Sequence, residues 1–208
     1  NEDFKSSKII DRFKSNLAGL YNIEMPRLGI KFHIKISFDD IYMEKESDAV
    51  VYGVYDSIDG LDEGNTLIID GGGKSTDSPL IQDGILNDSA SDTSRYGGQR
   101  LVRNIIDEYV KDTGNREPSK ESIEAALDNG ILVRGQEEVN IMKYIKIAKE
   151  NMATTIFNDI LLILDKPGVH IEDLNNLLMY GRLFKDTKNG TDRVSIATLL
   201  ASKVKQHN

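Results

Sequence analysis

The stretch Thr66-Leu67-Ile68-Ile69-Asp70-Gly71-Gly72-Gly73-Lys74-Ser75-Thr76-Asp77 joins an apolar run to a carboxylate and three consecutive glycines. A short Leu/Ile run bounded by turn residues predicts a buried strand, here ending at Asp70. Backbone N–H groups that converge in a glycine turn can form an anion-binding concavity, because no Cβ keeps the ligand away. A carboxylate at the strand end can hold a divalent cation beside a phosphate. The stretch therefore predicts a site for metal-bound polyphosphate.

The same residue types are also typical of a plain β-hairpin, in which Asp and Gly serve only the geometry of the turn. Both interpretations place Asp70 and Gly71 between two strands, so these twelve residues alone leave the choice open. In the phosphate-site interpretation, Lys74 adds a positive charge, and the hydroxyl groups of Ser75 and Thr76 add further donors.

Size and composition narrow the classes of function. The chain has 208 residues, 39% apolar and 29% charged, which allows one sizeable core or two smaller lobes. Its net charge of −8, without a dense Lys/Arg cluster, disfavours direct binding of nucleic acid. No apolar run approaches the ~18 residues of a membrane span. The absence of Cys excludes disulfides and fits a reducing compartment, so we expect a cytoplasmic protein that binds no membrane.

Hydrophobic periodicity predicts a chain that mixes helices and strands. Helices are predicted over residues 4–20, 44–55, 99–110, 119–127, 138–164 and 194–205. Strands are predicted at 29–38, 66–70 and 78–81, segment 174–180 fits either a strand or a helix, and 87–96 and 185–193 are expected to be polar loops. Pro79 suggests an edge strand or a bulge, and Asp83-Gly84 predicts a turn.

Three features occur in an order that resembles the actin-like ATPase superfamily. Glu46 and Ala49 precede the others on a predicted helix, a strand ends in Asp70-Gly71-Gly72-Gly73, and Tyr96-Gly97-Gly98 opens an amphipathic helix. Residues 4–38 and the run through Ile131 look most like the ParM/StbA-type plasmid-segregation branch, and the resemblance covers roughly residues 28–165. It implies an α/β fold: an actin-like, ribonuclease-H-like lobe with a mixed, mostly parallel sheet and helices on both faces.

The resemblance also implies a division into lobes. Residues 1–60 would form the C-terminal part of a first actin-like lobe, and residues 61–208 would form the second lobe. The Asp-Gly phosphate motif that opens such first lobes has no counterpart near residue 1. We therefore expect this chain to bind nucleotide weakly, or only together with a first lobe.

The resemblance assigns roles to single residues. Asp70 corresponds to the Asp that positions Mg²⁺ through water, and Glu46, with Glu44 as the runner-up, to the residue that orients the attacking water. Gly72 and Gly73 would hold the β- and γ-phosphates. The other implied nucleotide-binding residues are Gly71, Lys74, Ser75, Thr76, Asp77, Gly97, Gly98 and Gly181. The implied cofactors are ATP or GTP with Mg²⁺.

The implied function is that of an ATP-binding and ATP-hydrolysing protein that forms cytomotive filaments. Its partners would be copies of itself and a DNA-binding adaptor, through which the filament segregates plasmid DNA. Two alternatives stay open. One is another ATPase of the superfamily, such as a chaperone-type ATPase or a small-molecule kinase. The other is an interaction domain that keeps the fold without hydrolysis.

Overall fold

Eight strands and five α-helices form the parts of the chain that the computed structural model describes, which are residues 7–42, 60–184 and 195–207. The strands are β1 (Gly19–Met25), β2 (Ile30–Ile36), β3 (Asn65–Gly71), β4 (Thr76–Gln82), β5 (Ile85–Ser94), β6 (Ile131–Arg134), β7 (Glu137–Asn140) and β8 (Leu174–Tyr180). The helices are α1 (Ser7–Leu17), α2 (Gly98–Thr113), α3 (Lys120–Ala126), α4 (Met142–Asp165) and α5 (Ile196–His207). Short 3₁₀ turns occur at Phe38–Asp40, Ile171–Asp173 and Arg182–Phe184. The helix predicted over 44–55 and the loop predicted over 185–193 lie outside the described residues.

The chain divides into two units, residues 1–54 and 55–208. In the first unit, α1 precedes an antiparallel hairpin of β1 and β2, whose turn uses Gly29 at φ +65°. Strand β1 was not expected, because the sequence was interpreted as a helix that continued to Leu20. The predicted strand at 29–38 is confirmed as β2. Its apolar side chains are exposed, and Phe32, for example, is 43% exposed.

The second unit contains a four-stranded sheet in the order β5-β4-β3-β8. The sheet is mixed, as expected, but only the β3–β8 pairing is parallel, whereas β3–β4 and β4–β5 are antiparallel. The expectation of a mostly parallel sheet is therefore wrong for the described strands. Pro79 lies at a register shift between Ser78 and Leu80, so the bulge is confirmed, and the central place of β4 rules out the edge-strand alternative.

Residues 87–96 were expected to be a loop, yet most of them belong to β5. This strand is at the edge of the sheet, and among the described strands it pairs only with β4. Its Asp and Ser side chains are largely exposed, so the strand has no apolar face that periodicity could detect. The Asp83-Gly84 turn before it is confirmed, with both residues at positive φ (48° and 76°).

One apolar core joins the sheet to the helices. Leu67, Ile69 and Leu80 are fully buried in a cluster that includes residues of α2, α3, α4 and α5. The stripe predicted along the long helix is buried in full: Ile141, Ile145, Ala148, Met152, Ile156, Ile160 and Leu164. This helix begins at Met142 rather than 138, because residues 137–140 pair with β6 in a hairpin that periodicity missed. Within the described ranges, no helix is long and apolar enough to cross a membrane.

Candidate functional site

The glycine stretch forms the turn of the β3–β4 hairpin. Asp70 pairs with Asp77 and Gly71 with Thr76, so residues 72–75 make up the turn itself. The Gly72 N–H group donates to the Ser75 carbonyl oxygen at 3.0 Å. None of the three consecutive glycines has a positive φ, so the turn does not require glycine for its backbone angles. Any reason for glycine here must come from what lies close to the backbone.

Two glycines of the site are required by packing. A Cβ on Gly71 would lie 2.6 Å from the Cβ of Leu183 and 2.7 Å from the Phe184 ring. A Cβ on Gly97 would lie 2.7 Å from the carbonyl carbon and oxygen of Gly73. Real Cβ atoms do not approach other atoms this closely, so both positions exclude a side chain for structural reasons.

Gly73 differs from both. No atom of the described residues lies within 4 Å of a Cβ built on it, the residue is exposed, and its φ is not in the left-handed region. The fold therefore gives no reason for glycine at this position. A glycine without a structural reason, at the exposed tip of a turn, is what a closely approaching ligand would require.

The turn is tied to the start of α2. The N–H groups of Gly98 and Gln99 donate to the carbonyl oxygens of Gly72 and Gly73 at 3.0 and 2.9 Å. The buried Thr76 hydroxyl donates to the Tyr96 carbonyl oxygen, one residue before Gly97. The structure thus brings Gly97 and Gly98 together with the glycine turn, and it commits two N-terminal donors of α2 to that turn. These two helix N–H groups are not free to bind an anion.

The donors left over lie one residue further along the turn. Among the described residues, no acceptor is found for the N–H groups of Gly73 and Lys74. Both residues are exposed, and the Lys74 side chain makes no ion pair within the described part of the chain. Because the Gly72 N–H group is already used inside the hairpin, the consecutive donors without an acceptor among the described residues are those of Gly73, Lys74 and Ser75.

Asp70 and Gly181 meet at the base of the turn. The parallel β3–β8 pairing sets Asp70 beside Tyr180, and a Cβ on Gly181 would lie 2.6 Å from Asp70 Oδ1. Asp70 is 9% exposed and Gly181 has φ +95°, so this glycine is needed both for its backbone angle and for the close contact. The predicted proximity of Gly181 to the site residues is thus present in the structure, although the two positions are 111 residues apart in the sequence.

Asp70 is the carboxylate beside the turn that could hold a hydrated metal ion next to a phosphate. No group of three or more His, Cys, Asp or Glu side chains that could hold a metal occurs among the described residues. Mg²⁺ commonly keeps several waters and uses one or two carboxylates together with phosphate oxygens, so Asp70 at the strand end could contribute through water. Asp77 is engaged elsewhere, since its Oδ1 accepts a 2.5 Å hydrogen bond from the Thr93 hydroxyl on β5.

Of the remaining predicted residues, Ser75 belongs to the turn, and the two candidate water-orienting glutamates are not placed by the described structure. Glu46 and Glu44 lie outside the described residues. Ser75 contributes its carbonyl oxygen to the turn.

A cavity of about 490 Å³ between β5 and α4 was not predicted. Its polar lining includes Ser78, Asp92, Arg95, Arg100 and Asp159. Burial, and secondarily the charge of Asp92, raises the pKa of the Asp159 carboxyl group. A hydrogen bond from the Lys166 ammonium group, 3.0 Å from Oδ2, lowers the pKa of Asp92. One sequence signal pointed to this cavity: Asp159 lies directly beside the buried stripe of α4. The β5 side of the cavity was missed because residues 87–96 were predicted to be a loop.

Solved structures of actin homologues share this architecture. The whole chain superposes on a ParM chain in a 15-stranded ParM filament from Clostridium botulinum, with a TM-score of 0.68, 14% sequence identity and 57% of that chain covered. The fold is actin-like. The archaeal actin homologue Ta0583, in complex with ADP, matches 84% of this chain and 55% of its own at a TM-score of 0.64 and 18% identity. A chain of the Alp12 filament matches 86% of this chain and 53% of its own, with a TM-score of 0.57 and 19% identity.

This actin-like chain spans a little over half the length of these solved relatives. No protein-family profile matches its sequence, and no curated protein matches it either. At identities between 14% and 19%, the comparisons establish the fold alone.

Proposed function

We propose that the turn of residues 72–75 binds the phosphates of a magnesium nucleotide, and that this chain is the nucleotide-binding part of an actin-like filament ATPase. The observation that carries the proposal is Gly73, an exposed glycine that neither packing nor backbone angle requires. It stands beside two N–H groups without an acceptor among the described residues. The turn combines open space, N–H groups without an acceptor among the described residues, and a residue without a side chain. This combination favours a hairpin that binds an anion over a hairpin whose glycines serve only the turn.

Magnesium is the expected companion of the nucleotide. The Asp70 carboxylate emerges at the end of β3, next to the turn, and would repel phosphate unless a cation lay between them. Mg²⁺ would supply that cation and would neutralise charge that develops on the phosphates during hydrolysis. The ADP complex of the archaeal actin homologue supports a nucleotide as the ligand class. ATP and GTP are both candidate nucleotides, because none of the described residues has been assigned a contact with the base.

Residue roles in hydrolysis follow the same proposal. Asp70 would position the hydrated Mg²⁺, and Glu46, outside the described residues, would orient the attacking water. Gly98 would let the nucleoside side of the ligand approach backbone, whereas Gly97 and Gly181 would support the site through their close contacts with Gly73 and Asp70. Positioning and electrostatics, rather than covalent chemistry, are what transfer of a phosphoryl group to water requires.

Filament formation is the proposed use of the nucleotide. ParM and Alp12 filaments support self-association of this chain into a homopolymer. We place residues 1–60 in a first lobe and 61–208 in a second, which is supported by the division of the chain into units 1–54 and 55–208. The net charge of −8 favours contact with plasmid DNA through an adaptor rather than directly. The proposed location is the cytoplasm.

A small-molecule kinase of the same fold is the second candidate. A kinase needs a pocket for its second substrate. The cavity lined by Asp92, Arg100 and Asp159 could be that pocket, and it is the observation that supports this candidate. Filament formation by the protein would favour the first candidate over this one.

The test measures binding and assembly on the protein that carries this chain. Calorimetry should detect binding of Mg·ATP and Mg·ADP, and light scattering with electron microscopy should show filaments with Mg·ATP but fewer with Mg·ADP. Asp70→Ala should abolish turnover while the circular dichroism spectrum stays unchanged. If Asp70→Ala hydrolysed ATP as fast as the wild type, Asp70 would have no role in the site. Binding without filaments, together with phosphorylation of a small molecule, would favour the kinase.

A further inference from the structure

Lys74 is exposed at the tip of the turn of residues 72–75. The described part of the chain provides four other lysines with a carboxylate partner within 4.0 Å, namely Lys31, Lys143, Lys146 and Lys166. Lys74 has no such partner there, although the chain carries 34 acidic residues. Its ammonium group is therefore not neutralised by a described neighbour.

The backbone concentrates the remaining donors at the same residue. The Gly72 N–H group is used inside the hairpin, and the carbonyl oxygens of Gly72 and Gly73 are used by the first N–H groups of α2. What remains is the Lys74 ammonium group and the N–H groups of Gly73, Lys74 and Ser75, for which no acceptor is found among the described residues. The positive end of the turn is thus centred on Lys74 rather than on the Gly72–Gly73 pair that the actin-like resemblance implies.

The opposite end of the turn carries negative charge. Asp70, at the end of β3, is 9% exposed and lies close to Gly181. An ionised Asp70 would repel the phosphate chain that Lys74 attracts, so a cation near Asp70 would favour binding. The three hydrogen bonds that tie the turn to Tyr96, Gly98 and Gln99 fix the backbone of the turn in the folded protein.

We propose that Lys74 makes this site discriminate nucleotides by phosphate charge, so that triphosphates bind more tightly than diphosphates and diphosphates more tightly than monophosphates. This inference rests on the proposed nucleotide site. A lysine is a compact point charge on a flexible stem, so its attraction grows with the charge of the phosphate chain and does not depend on the base. Gly73 and Lys74 N–H groups hold any phosphate, whereas the ammonium group supplies the part of the affinity that scales with charge.

The experiment compares four forms of the protein that carries this chain: wild type, Lys74→Ala, Lys74→Arg and Lys111→Ala. Lys111 is the matched control, because it is an exposed lysine near the far end of α2, about 20 Å along the helix from the turn. Dissociation constants for ATP, ADP and AMP are measured by calorimetry with Mg²⁺ at 50 mM and 300 mM NaCl. Thermal denaturation of each variant checks that the fold is retained.

Lys74→Ala should weaken ATP binding about tenfold, as expected for one charge-assisted hydrogen bond, and ADP binding about threefold or less. The ATP-to-ADP ratio should fall accordingly, and high salt should lower that ratio in the wild type more than in Lys74→Ala. Lys74→Arg should keep most of the discrimination, and Lys111→Ala should match the wild type.

The contrary outcomes separate the two proposals. Equal weakening of ATP, ADP and AMP in Lys74→Ala, or no weakening at all, would overturn the role of Lys74 while leaving the nucleotide site in place. Failure of the wild-type protein that carries this chain to bind any of the three nucleotides would contradict the nucleotide site itself, and the inference about Lys74 with it.

Discussion

The Gly98 N–H group donates a 3.0 Å hydrogen bond to the Gly72 carbonyl oxygen, so the glycine turn itself caps helix α2. The first N–H groups of a helix have no partner within the helix and need one from elsewhere. In many phosphate sites the ligand meets this need, but here the turn does. Consequently, the available donors lie on the outer side of the turn, and any movement of the turn must also release the start of α2.

Gly97→Ala should destabilise the protein by about 1–3 kcal/mol, because the new Cβ would lie 2.7 Å from the backbone of Gly73 and Lys74 and backbone cannot rotate away. Thermal denaturation measures the effect. Gly98→Ala is the matched control, since its Cβ would lie 3.9 Å from the Gly73 oxygen, an ordinary contact. Equal melting temperatures for the two variants would mean that the turn does not pack on Gly97 in solution.

Thr76→Val should cost about 1 kcal/mol, because it removes the hydroxyl that donates to the Tyr96 carbonyl oxygen and leaves a nearly isosteric side chain in its place. Hydrogen exchange should also become faster at the Gly98 and Gln99 amides, which depend on the same turn. Thr154→Val, which removes an exposed hydroxyl bonded to its own helix, serves as control. Unchanged exchange at Gly98 would show that Thr76 does not tie the turn to α2.

Gly73→Ala should leave the melting temperature of the free protein within about 1 °C, since the Cβ meets nothing within 4 Å. The same Cβ should weaken binding of Mg·ATP at least tenfold if phosphate approaches the turn as proposed, because it would occupy ligand space. Calorimetry and thermal denaturation of the one variant give both numbers. Unchanged affinity in a folded variant would place the nucleotide somewhere other than this turn.

Asp159→Asn should raise the melting temperature by roughly 2 °C at pH 7. Burial raises the pKa of Asp159 in the folded state, so the folded state binds more protons than the unfolded state as pH rises past the ordinary Asp value. Ionised Asp159 therefore lowers stability at neutral pH, and the neutral amide does not.

The gain from Asp159→Asn should shrink as the pH is lowered to about 4, where the carboxyl group of the wild type is increasingly protonated in both states. Asp128→Asn, at an exposed position after α3, is the control and should show no comparable gain. A gain that is the same at pH 4 and pH 7 would mean that charge at Asp159 is not its cause.

Periodicity was a sound guide where one face of an element is buried. The stripe of α4 and the Leu67–Ile69 run of β3 were predicted because burial fixes their residue types. Strand β5 was missed because its polar side chains are largely exposed, and β1 because Leu20 continued the apparent helical spacing of α1. Such elements are held by backbone pairing, which leaves little trace in side-chain type.

The candidate site was predictable in composition but not in detail. Asp70 and the glycines could be found from the sequence, and so could the association of Gly97 and Gly181 with them through the actin-like resemblance. The use of the Gly72 N–H group inside the hairpin could not, because it depends on the length of the turn and on the carbonyl groups that α2 takes. The shift of the free donors to Gly73 and Lys74 is therefore a structural finding.

The most direct test of a phosphate-binding turn is a ¹⁵N–¹H NMR titration, with Mg·ATP, of the protein that carries this chain. The free Gly73 and Lys74 amides should show large shift changes that saturate with nucleotide, and the Gly72 amide, already bonded to Ser75, should change less. Saturable shifts confined to other residues, such as Arg95 and Arg100 at the β5–α4 cavity, would contradict the account, as would the absence of any saturable shift in the turn.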